Sequence, residues 1–184
     1  TDVQAVCDLL IFNSKDSCMT MYRDPIVWTG NRQLLGDSIK TYMNDSTVRE
    51  AYVLGNALGI ELMFDGKHYN QISSKEMRAY FTDGKLRRNE AIGNVLSLYY
   101  IMEEKDSSLL YLNYMECDTM RMYISAERKT EKIWGANPNA MMYPLTQVPP
   151  GKDRLSGFAW YDYVRPKDKH DLYRRVRKGE ENKQ

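Results

Sequence analysis

Residues 26–137 contain no proline. Proline cannot donate to a sheet ladder and is kept out of central strands. A stretch this long without it, rich in Tyr, Val, Ile and Thr, therefore reads as consecutive β-strands. Turn signals punctuate it at Asn44-Asp45, Asp65-Gly66, Asp83-Gly84 and Lys105-Asp106-Ser107. Asp-Gly pairs supply the positive φ angles that tight hairpins need.

The stretch also repeats itself. Gly36-Asp37-Ser38-Ile39-Lys40-Thr41-Tyr42 is followed by a turn and then Val53-Leu54-Gly55-Asn56-Ala57. Ser74-Lys75-Glu76-Met77-Arg78-Ala79-Tyr80 is followed by a turn and then Ala91-Ile92-Gly93-Asn94-Val95, and in both copies Tyr precedes Gly-Asn by 13 positions. A looser copy runs from Asp118 through Tyr123 to Ile133-Trp134-Gly135-Ala136, one residue shorter and without Asn after its Gly. A fainter one opens the chain between Leu9 and Trp28. Each unit is two strands joined by a polar turn, too short for a four-stranded propeller blade. Stacked units of this kind bury their apolar faces against their neighbours.

The first strand of each unit alternates. Ile39, Thr41 and Met43 share one face, as do Met77, Ala79 and Phe81, and Met120, Met122 and Ile124. Arg78, Tyr80, Arg121 and Tyr123 lie on the other. In the second strands, Leu54, Leu58, Ile60 and Leu62 share a face, as do Ile92, Leu96, Leu98 and Tyr100. Val53 and Ala57, or Ala91 and Val95, stand opposite. A bulge at Gly-Asn is able to switch the parity, so periodicity leaves the inward face of these strands open. Beyond Trp134, prolines within 135–152 predict a loop or extended cover, and Leu155 to Val164 predicts a short strand. Residues 165–184 are charged and read as a disordered tail, with a basic cluster at Arg174, Arg175, Arg177 and Lys178.

Formal charge is +1. A nucleic-acid binder concentrates basic charge on one face, and the body of the chain shows no basic excess, so nucleic acid is not expected as a partner. No apolar run approaches the roughly 18 residues of a membrane-spanning helix. With three cysteines, no complete disulfide framework exists. Cys7 and Cys18 are spaced to pair across a hairpin in an oxidising compartment, but read first as buried thiols. The two histidines, His68 and His170, have no neighbours that make a base–nucleophile pair or a metal site. No phosphate loop appears, and Glu103-Glu104 beside a turn reads as a solvated hairpin tip. Neither an enzyme, a cofactor nor a metal site is expected. The 11 methionines serve equally as core filling or as adaptable apolar lining.

The pattern Gly-Asp-x-Ile-x-x-Tyr, a turn, then Val-x-Gly-Asn-Ala resembles the OstA-like/LptA repeat. Trp28-Thr29-Gly30-Asn31-Arg32-Gln33-Leu34-Leu35-Gly36-Asp37 is similar to the divergent OstA-like branch, as are Tyr69-Asn70-Gln71-Ile72, Ala79-Tyr80-Phe81, Gly93-Asn94-Val95 and Gly157-Phe158-Ala159-Trp160. The resemblance spans about residues 5–165. It implies an all-β, repeat-built, twisted open β-jellyroll over residues 1–164, with two antiparallel sheets facing across a V-shaped groove. It further implies a non-enzymatic periplasmic protein, its signal peptide removed, with the outer membrane as a further location. The implied ligand is lipopolysaccharide, held by its lipid A acyl chains. The implied partners are further copies or other jellyroll components of the transport machinery, joined through edge strands. Ile39, Met43, Met77, Phe81, Leu96, Leu98, Met120, Met122 and Ile124 are the residues expected to line such a groove. On the residues alone they fill a closed core equally well, and the alternative function is a structural envelope β-repeat protein with no lipid ligand.

Overall fold

The computed structural model describes residues 3–171 except 46, 104–107, 128 and 169. The expected turn at 105–107 and the basic cluster at 174–178 lie outside the described residues. Among the described residues twelve strands form one antiparallel sheet: β1 Val3–Val6, β2 Leu9–Asn13, β3 Cys18–Tyr22, β4 Ile26–Thr29, β5 Arg32–Leu35, β6 Ser38–Asn44, β7 Thr47–Leu62, β8 Tyr69–Thr82, β9 Lys85–Met102, β10 Leu109–Ile124, β11 Thr130–Ala136 and β12 Asn139–Pro144. The turns at Asn44-Asp45, Asp65-Gly66 and Asp83-Gly84 connect β6 to β7, β7 to β8 and β8 to β9. At the tightest, Asp83 and Gly84 both take positive φ (50° and 69°).

The long strands β7–β10 belong to two half-sheets at once. The first half-sheet runs β2-β3-β6-β7-β8-β9-β10-β11 and the second β1-β4-β5-β7-β8-β9-β10-β12. The seam between them is a line of bulges. Gly55-Asn56 puts one extra residue into β7 against β8, and Gly93-Asn94 does the same for β9. Both residues of each pair have positive φ. Gly55 sits so close to Asp37 that a Cβ would lie 2.1 Å from Asp37 Oδ2, and Asn56 Nδ2 donates to the same carboxylate at 3.1 Å. Asn137 Nδ2 donates to Asp118 Oδ2 at 2.6 Å across the same 19-residue separation as Asn56 and Asp37, and Asn137 also has positive φ. The third copy thus carries its asparagine one residue later, after Ala136. Arg23 and Asp24 repeat the positive φ near the chain start.

The bulges decide which residues face inward. On β7, Val53 and Ala57 keep the same side; β8, with one residue fewer across the seam, changes parity from Met77 to Ser74 and Ile72. Likewise β9 keeps Ala91 and Val95 inward while β10 changes from Met120 to Cys117.

Two apolar clusters result, on opposite faces. The inner cluster gathers Met21, Ile39, Val53, Met77, Ala91 and Met120 from the first half-sheet with Val27, Leu34, Ile72 and Met115 from the second, so the half-sheets face each other. The outer cluster, around Trp28, Ile60, Leu98, Tyr100 and Leu112, is covered by the segment after β12, including Leu155, Phe158, Trp160 and Val164. Leu155–Val164 is not a strand. It crosses over the second half-sheet, held by glutamine side chains in place of a backbone ladder: Gln33 Nε2 donates to Ala159 O (2.8 Å), Gln33 Oε1 accepts from Tyr161 N (2.7 Å), and Gln71 bonds Asp153 O (2.9 Å) and Leu155 N (2.8 Å). Gln4 Nε2 fixes Pro166 O in the same way. The proline-rich stretch is also more ordered than a loop. Asn137-Pro138 carries the chain from one half-sheet to the edge of the other, where β12 forms and ends at Pro144, as an edge position permits.

Candidate functional site

Antiparallel partners share a face, so the register writes out the inner wall of the first half-sheet. Beside the seam runs Leu10, Met21, Ile39, Val53, Met77, Ala91, Met120 and Gly135. One row out runs Phe12, Met19, Thr41, Ala51, Ala79, Asn89, Met122 and Ile133. By alternation Met43, Phe81 and Ile124 belong to the row beyond. Ala51, Ala79 and Ala91 on β7–β9, with Met77 among them and Met19, Met21, Met120 and Met122 on β3 and β10, give a wall that is almost wholly apolar and adaptable in shape.

Burial falls along each strand away from the seam. Ile39, Met77 and Met120 are at most 5% exposed, whereas Met43, Phe81, Met122 and Ile124 are half-buried. At the sheet edges Leu10, Phe12 and Ile133 are 52%, 58% and 57% exposed. Residues of the two walls pack together at the base and exposure rises outward along the strands, so the wedge is core at its base and accessible at its rim.

The facing wall differs. Near the seam it presents Ala5, Val27, Leu34, Gly59, Ile72, Ser97, Met115 and Ala140. One row out it turns polar: Arg32 Nε pairs with Glu61 Oε1 at 2.8 Å, Asn70 Nδ2 donates to Glu61 Oε2 at 3.2 Å, and Tyr99 and Asn113 follow. Asn113 Oδ1 is buried without a protein partner. Cys117 lies at the base, where burial, the largest cause, and Asp118 push its thiol above the usual range, so it contributes as a neutral apolar group. Among the described residues no cluster of three or more His, Cys, Asp or Glu is placed to hold a metal, and all three cysteines are free thiols.

Of the residues read from the sequence as a lining, the structure brings Ile39, Met43, Met77, Phe81, Met120, Met122 and Ile124 onto one inner wall. Leu96 and Leu98 stand on the opposite face, in the cluster under the C-terminal segment, because β9 keeps its parity through the Gly93-Asn94 bulge. Sequence reasoning missed Leu10, Phe12, Met19 and Met21, although Met19 and Met21 alternate within the faint first copy. It also missed Val27, Leu34, Ile72 and Met115, whose outward neighbours Ile26, Trp28, Gln33, Gln71 and Tyr114 are themselves buried, so that both faces are covered and no single strand marks the inner one.

An open antiparallel jellyroll, bent along a seam of bulges and apolar on its inner side, is a recognised class of fold. It is similar to the crystal structure of LptH, described as the LptA-homologous periplasmic component of the conserved lipopolysaccharide transport device from Pseudomonas aeruginosa, with a TM-score of 0.53 and 12% identity over 77% of this chain and 93% of that one. No protein-family model and no curated protein matches the sequence.

Proposed function

We propose that this chain is a non-enzymatic periplasmic component of lipopolysaccharide transport, which shelters acyl chains in the wedge between its half-sheets and passes them towards the outer membrane. The observation that carries the reading is the graded burial of the inner wall: fully buried at the seam, half-buried at Met43, Phe81, Met122 and Ile124, exposed at the edges. The likeness to LptH, a component of a lipopolysaccharide transport device, supports this choice of ligand class. Each methylene transferred from water to such a wall gains about 0.8 kcal/mol, so affinity grows with area and needs few polar contacts. Edge strands β2 and β11 end the first half-sheet, and unpaired edges of this kind are where a further copy or another jellyroll component adds its own strand.

The test is in-cell photocrosslinking. A photoreactive amino acid replaces Phe81, Met122 or Ile124 in turn, with Arg78, Arg121 and Leu98 as opposite-face controls. Lipopolysaccharide adducts at the first set alone are expected. Folded variants with no adduct anywhere would leave a lipid-free structural β-repeat protein as the better account.

A further inference from the structure

The outer face of the first half-sheet takes no part in the wedge, and its chemistry is distinct. Its central row reads Ile11, Thr20, Lys40, Tyr52, Arg78, Glu90, Arg121 and Trp134, and the next Asn13, Cys18, Tyr42, Glu50, Tyr80, Arg88, Tyr123 and Lys132. Cations cover rings: Arg49 over Tyr42, Arg78 over Tyr52, Arg88 over Tyr80, Arg121 over Trp134 and Lys132 over Tyr123. Glu90, nearly buried, is held between Arg121 (3.0 Å) and Arg88 (3.5 Å). Lys40, Arg49, Arg78, Arg88, Arg121 and Lys132 outnumber Glu50, Glu76 and Glu90 on this face, although the whole chain carries only +1. The face therefore carries a net positive charge. Exposed apolar and aromatic groups flank it: Leu9, Ile11 and Tyr22 at the β2–β3 edge, and Trp134 at the β11 edge.

We propose that this face docks the protein on a membrane leaflet of anionic lipid. A positive face fits an anionic partner. Its rim of Trp, Tyr and aliphatic side chains around basic groups is the composition that settles at a lipid headgroup boundary. The rows belong to a continuous sheet of paired strands, a platform suited to an extended surface. Docked this way, the sheet puts its cationic face on the headgroups and leaves the wedge on the opposite side free. The docking stands independently of what the wedge binds.

The test is co-sedimentation of the full chain with phosphatidylglycerol vesicles and with phosphatidylcholine vesicles, at low and high salt. Binding to phosphatidylglycerol alone, weakened by salt, is expected. Lys40→Glu with Lys132→Glu should weaken it about tenfold or more, since each basic residue near an anionic leaflet adds about fivefold. Neither lysine forms a carboxylate pair among the described residues, so the thermal midpoint should hold. Trp134 reports contact directly, because Trp28 is fully buried and Trp160 packs in the covered outer cluster. A fluorescence blue shift with phosphatidylglycerol, absent in Trp134→Phe, is expected. The groove variant Phe81→Arg should bind vesicles unchanged. Equal binding to both vesicle types, or full binding by the Lys40/Lys132 variant, overturns the proposal. So does binding lost only when Arg174, Arg175, Arg177 and Lys178 become Gln. Binding to soluble dextran sulfate but to neither vesicle would also overturn it, and would point to an acidic polymer.

Discussion

Replacing Gln33 by methionine tests what holds the C-terminal segment onto the second half-sheet. Gln33 is 2% exposed and serves three partners: it accepts from Trp28 Nε1 (3.3 Å) and Tyr161 N (2.7 Å) and donates to Ala159 O (2.8 Å). Methionine keeps the length and the apolar contacts and removes all three bonds. A buried polar group left without a partner costs about 1–3 kcal/mol. Trp28 is fully buried, so its N–H bears the upper part of that range, while the half-buried Ala159 and Tyr161 admit water and bear the lower part. The expected loss is about 3–5 kcal/mol, read as a lowered urea midpoint. Proteolysis within residues 145–166 should begin at urea concentrations where the wild type is resistant. Because the segment lies on the face opposite the wedge, photocrosslinking at Phe81 and Met122 should persist under native conditions. A loss below about 1 kcal/mol with unchanged proteolysis would mean that apolar contact alone holds the segment, and that the glutamine ladder is incidental.

Gly30→Ala meets open space at φ +59° and should cost about 1 kcal/mol through backbone strain alone. Gly55→Ala also drives a Cβ into Asp37 and should cost about 2–4 kcal/mol; equal urea midpoints for the two would refute the seam packing. Asn137→Ala removes the bond to Asp118 and occupies a left-handed position, so a drop of about 1–3 kcal/mol in unfolding free energy is expected, while the exposed neighbour Asn139 tolerates Ala. Burial opposes ionisation of Asp65, but the His68 ring and the N–H groups of His68 and Lys67 outweigh it and hold the carboxyl at about 2. Its folded value is depressed, so its contribution is present above about pH 4 and lost as pH falls towards 2; Asp65→Asn should flatten that limb of a thermal-midpoint profile. Buried Cys18 and Cys117 should resist a thiol reagent in the native state, with half-buried Cys7 reacting first.

The local features of this protein were legible in its residues. The absence of proline from 26–137, the Asp-Gly turns and the period-two alternation specify strands, their connections and the two faces of each. The recurrence of Gly-Asn 13 positions after Tyr was visible as a repeat, and its positive φ pair is local, whereas the contact of Gly55 and Asn56 with Asp37 is made only in the fold. Seven of the nine expected lining residues share a wall because alternation within one strand is set by the pleat. Leu96 and Leu98 went to the other side for a reason that no single strand contains: inward parity across the seam depends on how many residues each pairing partner spends there. The C-terminal segment was equally unreadable. It has no periodicity, since glutamine side chains carry its hydrogen bonds from strands more than 80 residues away, and its aromatic weight imitates that of a strand. Sequence pattern records the backbone's local geometry, whereas layer contacts are chosen by whichever surfaces meet when the chain closes. That is why the strands between residues 26 and 137 and the alternation along them were set by the sequence alone, and only the tertiary structure decided which apolar face is covered and which borders an open wedge.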